Sequence, residues 1–387
     1  MPQAGTVNSV RTGLSREDAP ALVAKDLAQQ IGSRDLEYVL YFASSRYAPA
    51  ELAAAMAKTF GPRCAGCTTA GEIGPGGYTH DGVVAVAFGQ GPIKVHAFAL
   101  EDASSFDPAA FSDMRARFDA DRAYPDRSLG DDCFAMLLID GLCGLEEHVV
   151  AAVHHHFDPM SIVGGSAGDD LAYKATWVFE GGRALSGAAV ILIVEMGGVP
   201  FRTFRLQDFA PISDYLVVTE ADPVQRIVYE LDGEPAQDVY SAWLNMSVAD
   251  LGMAEFSSHS LMVQIGPECY VRSVRCITPD GGLKLHAAID RGAIVRICRS
   301  EDSMVALSSM LSPANAPSPT ADLMICFDCM HRRRELERYG QIEEASRLIA
   351  RVRSIGFTTY GEVVDSLHVN QTLTGVLIGD GSLTRTR

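Results

Sequence analysis

The chain has 387 residues, a formal net charge of −17, and a composition that is 47% apolar and 21% charged. That length leaves room for roughly two or three domains, and the composition excludes a disordered chain. The acidic balance counts against nucleic-acid binding, because a net negative surface repels phosphate backbones and no basic stripe with interleaved aromatics offsets it.

Taken in chain order, the first thirty residues carry neither a positively charged start nor an apolar run, and no later apolar segment approaches the ~20 residues of a membrane helix. A cytoplasmic protein without membrane insertion is expected. Residues 38–44 (YVLYFAS) read as a buried strand, Pro49–Phe60 as a helix stopped by Pro62, and residues 83–88 (VVAVAF) as a returning strand. Between helix and return stands the turn CTTAGE, residues 67–72. The scheme then recurs: FAMLLID (134–140), a helical stretch over 145–157, the turn GSAGD (165–169) and the strand AAVILIV (188–194). Shifting the sequence by 97 positions aligns residues 39–72 with 136–169 without a gap and keeps the apolar pattern in phase.

Beyond residue 229 the pattern changes. A helix start with Pro235 in its first turn is followed by alternating apolar and polar runs at 260–266, 269–289 and 293–300, with PDGG (279–282) as a tight turn, so antiparallel strands are predicted. SPANAPSPT, residues 312–320, reads as a linker. A third, looser copy of the unit follows: the strand Leu323–Cys329, HRRRELER (331–338) as the first turns of a solvated helix, an amphipathic helix over 341–353, the turn FTTYGE (357–362) and the strand 373–379. The expected fold is α/β, with mixed β-sheets covered by helices, internal duplication of a strand-helix-turn-strand unit, and a β-rich insert in the carboxy-terminal half. Two domains are expected, 1–200 and 201–387.

The glycine of each repeated turn supplies a positive φ or a close backbone approach. Glu72, Asp169 and Glu362 after it are then either turn anchors or, by internal symmetry, the rim of a shared pocket. Cys64-x-x-Cys67 and Cys326-x-x-Cys329 have zinc-knuckle spacing, but they lack the flanks of a zinc ribbon. The second pair lies on a strand, where residues three apart face opposite sides, so reduced, buried thiols are expected and no zinc. Met330 and His331 after the second pair also miss the covalent haem pattern. His154, His155 and His156 point about 100° apart on a helix and are expected to be solvated. No nucleophile elbow or phosphate loop is present. The best enzyme reading makes Cys329 a nucleophile with His331 or His368 as its base, and an enzyme is not expected.

CAGCTTAGEIGPGGY (64–78) followed by DGVVAVAF resembles the amino-terminal FIST domain, and LDGEPAQDVY, YVRSV, FDCMHRR and GFTTYGEVVDSLHVNQTLTGVLIG (356–379) resemble the FIST carboxy-terminal domain. The resemblance implies a bacterial ligand-sensing protein of signal transduction, and within one subset a b-type haem that responds to nitric oxide. It implies an output to a histidine kinase, diguanylate cyclase or chemoreceptor acting in trans, with a homodimer as one assembly open to it. An amino-acid-like small molecule is the alternative ligand. A haem would need one neutral imidazole in an apolar pocket. The resemblance offers His259 as axial ligand, with Ser260 standing where the family tends to show proline, and then His286 and His368. For a small ligand, Cys329 and His331 are candidates, and Asn370, Gln371 and Thr372 are candidates for polar contacts beside a turn.

Overall fold

The structure, a computed structural model, describes residues 10–103, 107–311 and 321–379. The linker expected over residues 312–320 lies outside them. Three copies of one unit account for most of the chain, and each copy starts earlier than the sequence suggested, with an edge strand and a helix. The first copy runs Val10–Ser15, Pro20–Ile31, Leu36–Ser44, Pro49–Phe60, Cys64–Thr69, the hairpin Glu72–Gly74 with Gly77–Thr79, and Val83–Gly89. The second runs Lys94–Leu100, Pro108–Asp121, Cys133–Ile139, Glu146–Phe157, Ser161–Ser166, the hairpin Val178–Glu180 with Arg183–Leu185, and Ala189–Glu195. The third opens with Phe201–Gln207 and resumes at Ser303–Met310. It continues through Leu323–Cys329, the helices Met330–Arg338 and Ile342–Ile349, Ser354–Thr359, the hairpin Glu362–Val364 with Leu367–Val369, and Thr372–Ile378.

Each unit builds the heart of one mixed sheet. The strands before and after the middle helix pair in parallel, as in Val39 opposite Cys64, and the return strand is antiparallel to the first of them. Short helices whose first residue is proline, such as Pro20–Ile31 and Pro49–Phe60, make the crossovers, since a missing N–H costs nothing there. The hairpins do not stay at home. That of the first unit adds to the third unit's Ser354–Thr359, that of the third to the second unit's Ser161–Ser166, and that of the second to the first unit's Cys64–Thr69. The three six-stranded sheets are therefore closed into a ring by exchange of edges, which also covers strands that would otherwise expose unpaired backbone.

Strand alternation assigns the two faces. Leu40 and Phe42, Met136 and Leu138, and Ile325 and Phe327 share one central core, whereas Tyr41, Leu137 and Cys326 turn outward against each unit's own helices. Strands buried on both faces read as unbroken apolar runs, and each large side chain so buried contributes roughly 1.5–3 kcal/mol. The insert between Phe201–Gln207 and Ser303–Met310 forms a nine-stranded antiparallel sheet with its own core around Val218, Tyr240, Leu261 and Val295. Among the described residues no helix is long and apolar enough to cross a membrane.

One expectation fails. Met330–Arg338 is not a solvated helix, since its His331, Arg332 and Arg333 are buried. The cause is ion pairing, with one neighbouring acid and one far away in the sequence. Arg332, wholly buried, donates from Nε to Asp328 at 2.9 Å and from Nη1 to Asp208 at 3.0 Å. The histidine run is solvated only in part: His155 is exposed, while the rings of Phe111 and His156 stack with centroids 6.1 Å apart.

Candidate functional site

Edge exchange brings the three repeated turns together. Ala70 N donates to Thr358 O at 3.0 Å, Tyr360 N to Ser166 O at 3.2 Å, and Gly168 N to Thr68 O at 3.0 Å, so each turn is bonded to the next unit's strand around a closed ring. The glycines are there because something sits on them. A Cβ at Gly71, whose φ is +121°, would lie 2.0 Å from Arg333 Nη1, and one at Gly361 would lie 2.0 Å from His368 Nε2.

Glu72 and Glu362 occupy matching places, both fully buried. Each accepts from the hydroxyl three residues earlier, Thr69 at 2.7 Å in one case and Thr359 in the other, and from a backbone N–H ten residues later, Gly82 or Thr372, both at 3.2 Å. Burial pushes Glu72 up to about 7 and Glu362 up to about 8. Asp169, one methylene shorter, instead accepts from the N–H groups of Tyr173, Lys174 and Ala175 and from the Tyr360 hydroxyl. All three acids are thus turned into their own loops as anchors.

Beside this ring, where the second unit, the third unit and the insert meet, lies a cavity of about 200 Å³. Its wall carries Arg226, Arg275 and Lys284 against one carboxylate, Glu146, together with His286, Tyr173 and Tyr360. Arg226 is held by Glu146 at 2.5 Å and Glu147 at 2.6 Å. Arg275 has no carboxylate partner among the described residues, and its guanidinium lies 5.1 Å from the centroid of the Tyr173 ring, which stacks on Tyr360 at 4.8 Å. Burial opposes ionisation of Glu147, yet His368, Arg226 and the Ala288 N–H together hold its carboxyl well below the usual range.

Of the residues expected from sequence, three imidazoles gather here. His286 and His331 face each other with Nε2 atoms 3.3 Å apart, and His368 stands 3.7 Å from Glu147 and 3.5 Å from Ser166 Oγ. Burial, then the neighbouring His331, Arg275 and Arg226, pushes His286 well down, and burial with Arg334 pushes His331 down to about 4, so both are neutral near pH 7. Cys329 lies buried behind them with its thiol pushed well up by burial and by Glu362, which disfavours a thiolate. Asn370, Gln371 and Thr372 are also buried. Asn370 accepts from Ser273 N at 3.4 Å and Gln371 donates to Ser257 O at 2.9 Å, tying the insert to the third unit, while Thr372 bonds Glu362. His259 stands apart on the insert, half-buried, with Nδ1 beside Ser258 Oγ and Glu255 O, and it lines neither this cavity nor the larger one described next.

A second cavity, of about 440 Å³, lies where the three units meet and is lined by His80, Asp81, Asp170, Leu171, Arg333 and Arg334, among others. Arg226, Arg275, Lys284, Tyr173 and Tyr360 were not singled out by the sequence. Only Tyr360 carried a signal, as the variable position of a repeated turn. A haem does not fit these surroundings. The cavity at His286 is polar and below the ~300 Å³ at which drug-sized ligand pockets begin, and the Nε2 atoms of His286 and His331 face each other rather than an apolar slot.

Over residues 37–234 the chain matches the family model described as the FIST N domain, and over 236–365 that of the FIST C domain. No curated protein matches it in sequence. Among solved structures, a cyanuric acid hydrolase from A. caulinodans is similar at 10% identity and a TM-score of 0.29, covering 49% of this chain and 71% of that one.

Proposed function

Because the chain belongs to the FIST family, whose domains sense ligands in signal transduction, we propose that it is a sensor of a small anionic molecule, such as an amino acid or short carboxylic acid, bound in the cavity between the second unit, the third unit and the insert. One observation carries this reading. In a protein of net charge −17, three cations meet one carboxylate on the wall of a 200 Å³ cavity. An anion there gains charge-assisted hydrogen bonds from Arg275 and Lys284, neither of which has a carboxylate partner among the described residues. The stacked Tyr173 and Tyr360 add an apolar wall. The small volume favours a ligand of a few heavy atoms over a macrocycle. Occupancy would draw the insert toward the three-unit body, since Arg275 and Lys284 belong to one and Tyr360 to the other, and a signalling partner would read that change.

Calorimetric titration with glutamate, succinate and inorganic phosphate tests the reading, with thermal unfolding alongside. A ligand present at a hundred times its dissociation constant should stabilise the fold by about 2.7 kcal/mol, and the double variant R275A/K284A should lose that gain. Binding unaffected by the double variant would overturn the assignment. Hemin titration addresses the haem alternative: a Soret band lost in H259A would place the sensing chemistry on the insert instead.

A further inference from the structure

A hydrogen-bonded chain leads out of this cavity through the protein wall. His286, half-buried, lines the cavity, and its Nε2 lies 3.3 Å from Nε2 of the buried His331. His331 Nδ1 lies 3.0 Å from Ser257 Oγ, and the Ser257 hydroxyl donates to Met253 O at 2.8 Å. Ser257 in turn lines a separate groove of about 370 Å³ between the helices Met253–Ser258 and Met330–Arg338, where Met253, Arg334 and Arg338 are exposed. We propose that Ser257, His331 and His286 form a relay by which an oxyanion in the cavity resets the helix Met253–Ser258 at the groove. This rests on the reading of the cavity as an anion site.

The geometry permits only two arrangements. Two neutral imidazoles whose Nε2 atoms are 3.3 Å apart must share one proton between them, since two N–H groups would collide and two lone pairs would repel. With the Ser257 hydroxyl given to Met253 O, its oxygen accepts from His331 Nδ1–H. His331 Nε2 is then bare and accepts from His286 Nε2–H, so His286 Nδ1 is bare too. Beyond the donors of Arg275 and Lys284, the imidazole can offer an oxyanion a donor only through a proton on His286 Nδ1, since its Nε2 is committed to His331. When that N–H forms, the His286 Nε2 proton passes to His331 Nε2, the His331 Nδ1 proton passes to Ser257 Oγ, and the former Ser257 hydroxyl proton leaves to water in the groove. One proton enters at the cavity and one leaves at the groove, so net charge is unchanged. Ser257 now donates to His331 and releases the Met253 carbonyl, removing a bond that braces a helix of only six residues. Gln371, which donates to Ser257 O at 2.9 Å, keeps the end of that helix on the third unit throughout.

The test is nitrogen-15 spectroscopy of the full chain labelled in histidine, with H286Q and H331Q to assign the resonances and inorganic phosphate as the probe. Before phosphate His286 should carry its proton on Nε2 and His331 on Nδ1, and saturating phosphate should reverse both. In S257A, phosphate should still bind within about tenfold of the unmodified protein, the loss expected for one neutral hydrogen bond, but neither histidine should reverse, because the His331 Nδ1 proton then has no hydroxyl to pass to. S257T, which keeps a hydroxyl, should restore the response. If phosphate binds and moves only His286, the relay is wrong and the cavity assignment stands. If phosphate neither binds nor moves any histidine, the cavity assignment fails and takes the relay with it.

Discussion

The first and third turns share backbone, hydrogen bonds and an acid, yet they are roofed differently, and the difference sets what each turn faces. Over Gly71 lies Arg333, whose guanidinium is already engaged by Glu337 at 3.1 Å, Thr358 at 3.2 Å, Thr79 O at 3.2 Å and His80. Over Gly361 lies His368, an imidazole with two long contacts, to Ser166 and Glu147, and beyond it the insert contributes Arg226, Arg275, Lys284 and His286. A repeated unit thus acquires a cation-rich wall at the copy that the insert covers.

The matched acids give the largest handle on the comparison. Glu362, raised to about 8 in the fold from an unfolded value of about 4.5, contributes stability that is complete below pH 4.5 and lost as pH rises to 8. E362Q should therefore gain on the parent by about 1.4 kcal/mol per pH unit across that window, roughly 5 kcal/mol in all. E72Q should do the same only up to about pH 7. Unfolding midpoints measured from pH 4 to 9 decide this, and parallel curves for parent and variant would show the acids to be ionised.

His331 titrates with the opposite sign. Its folded value of about 4 lies below the usual 6.5, so its contribution is present above pH 6.5 and lost as pH falls toward 4, by about 3 kcal/mol. In H331Q the acid-side loss should shrink by that amount.

Filling the two glycines compares the roofs directly. G361A drives a methyl into a buried ring and should cost about 3 kcal/mol in thermal or urea unfolding. G71A meets the far end of an arginine side chain that can swing aside, leaving mainly the backbone strain of about 1–3 kcal/mol. The smallest expected effect is that of R275A, within about 0.5 kcal/mol of the parent in the absence of ligand, because its guanidinium is exposed and pairs with no acid among the described residues. A large loss there would mean that Arg275 is structural and not held ready for an anion.

The sequence by itself determined the repeated unit, its strands and helices, the insert's antiparallel strands and the glycine turns. Those features rest on local periodicity and on backbone conformations that few residues tolerate. The 97-residue shift finds two copies because Leu40, Phe60 and Gly71 keep their counterparts in phase. Only the tertiary structure decided where the hairpins go, and with that which turns adjoin. Edge pairing is set by backbone hydrogen bonds that any side chain allows, and those bonds leave no mark in composition. The same holds for the cavity: Arg226 reaches Glu146 across 80 positions and Arg332 reaches Asp208 across 124. A basic run that looks solvated in one dimension is neutralised in part by Asp208, an acid that only the folded chain brings to 3.0 Å from Arg332.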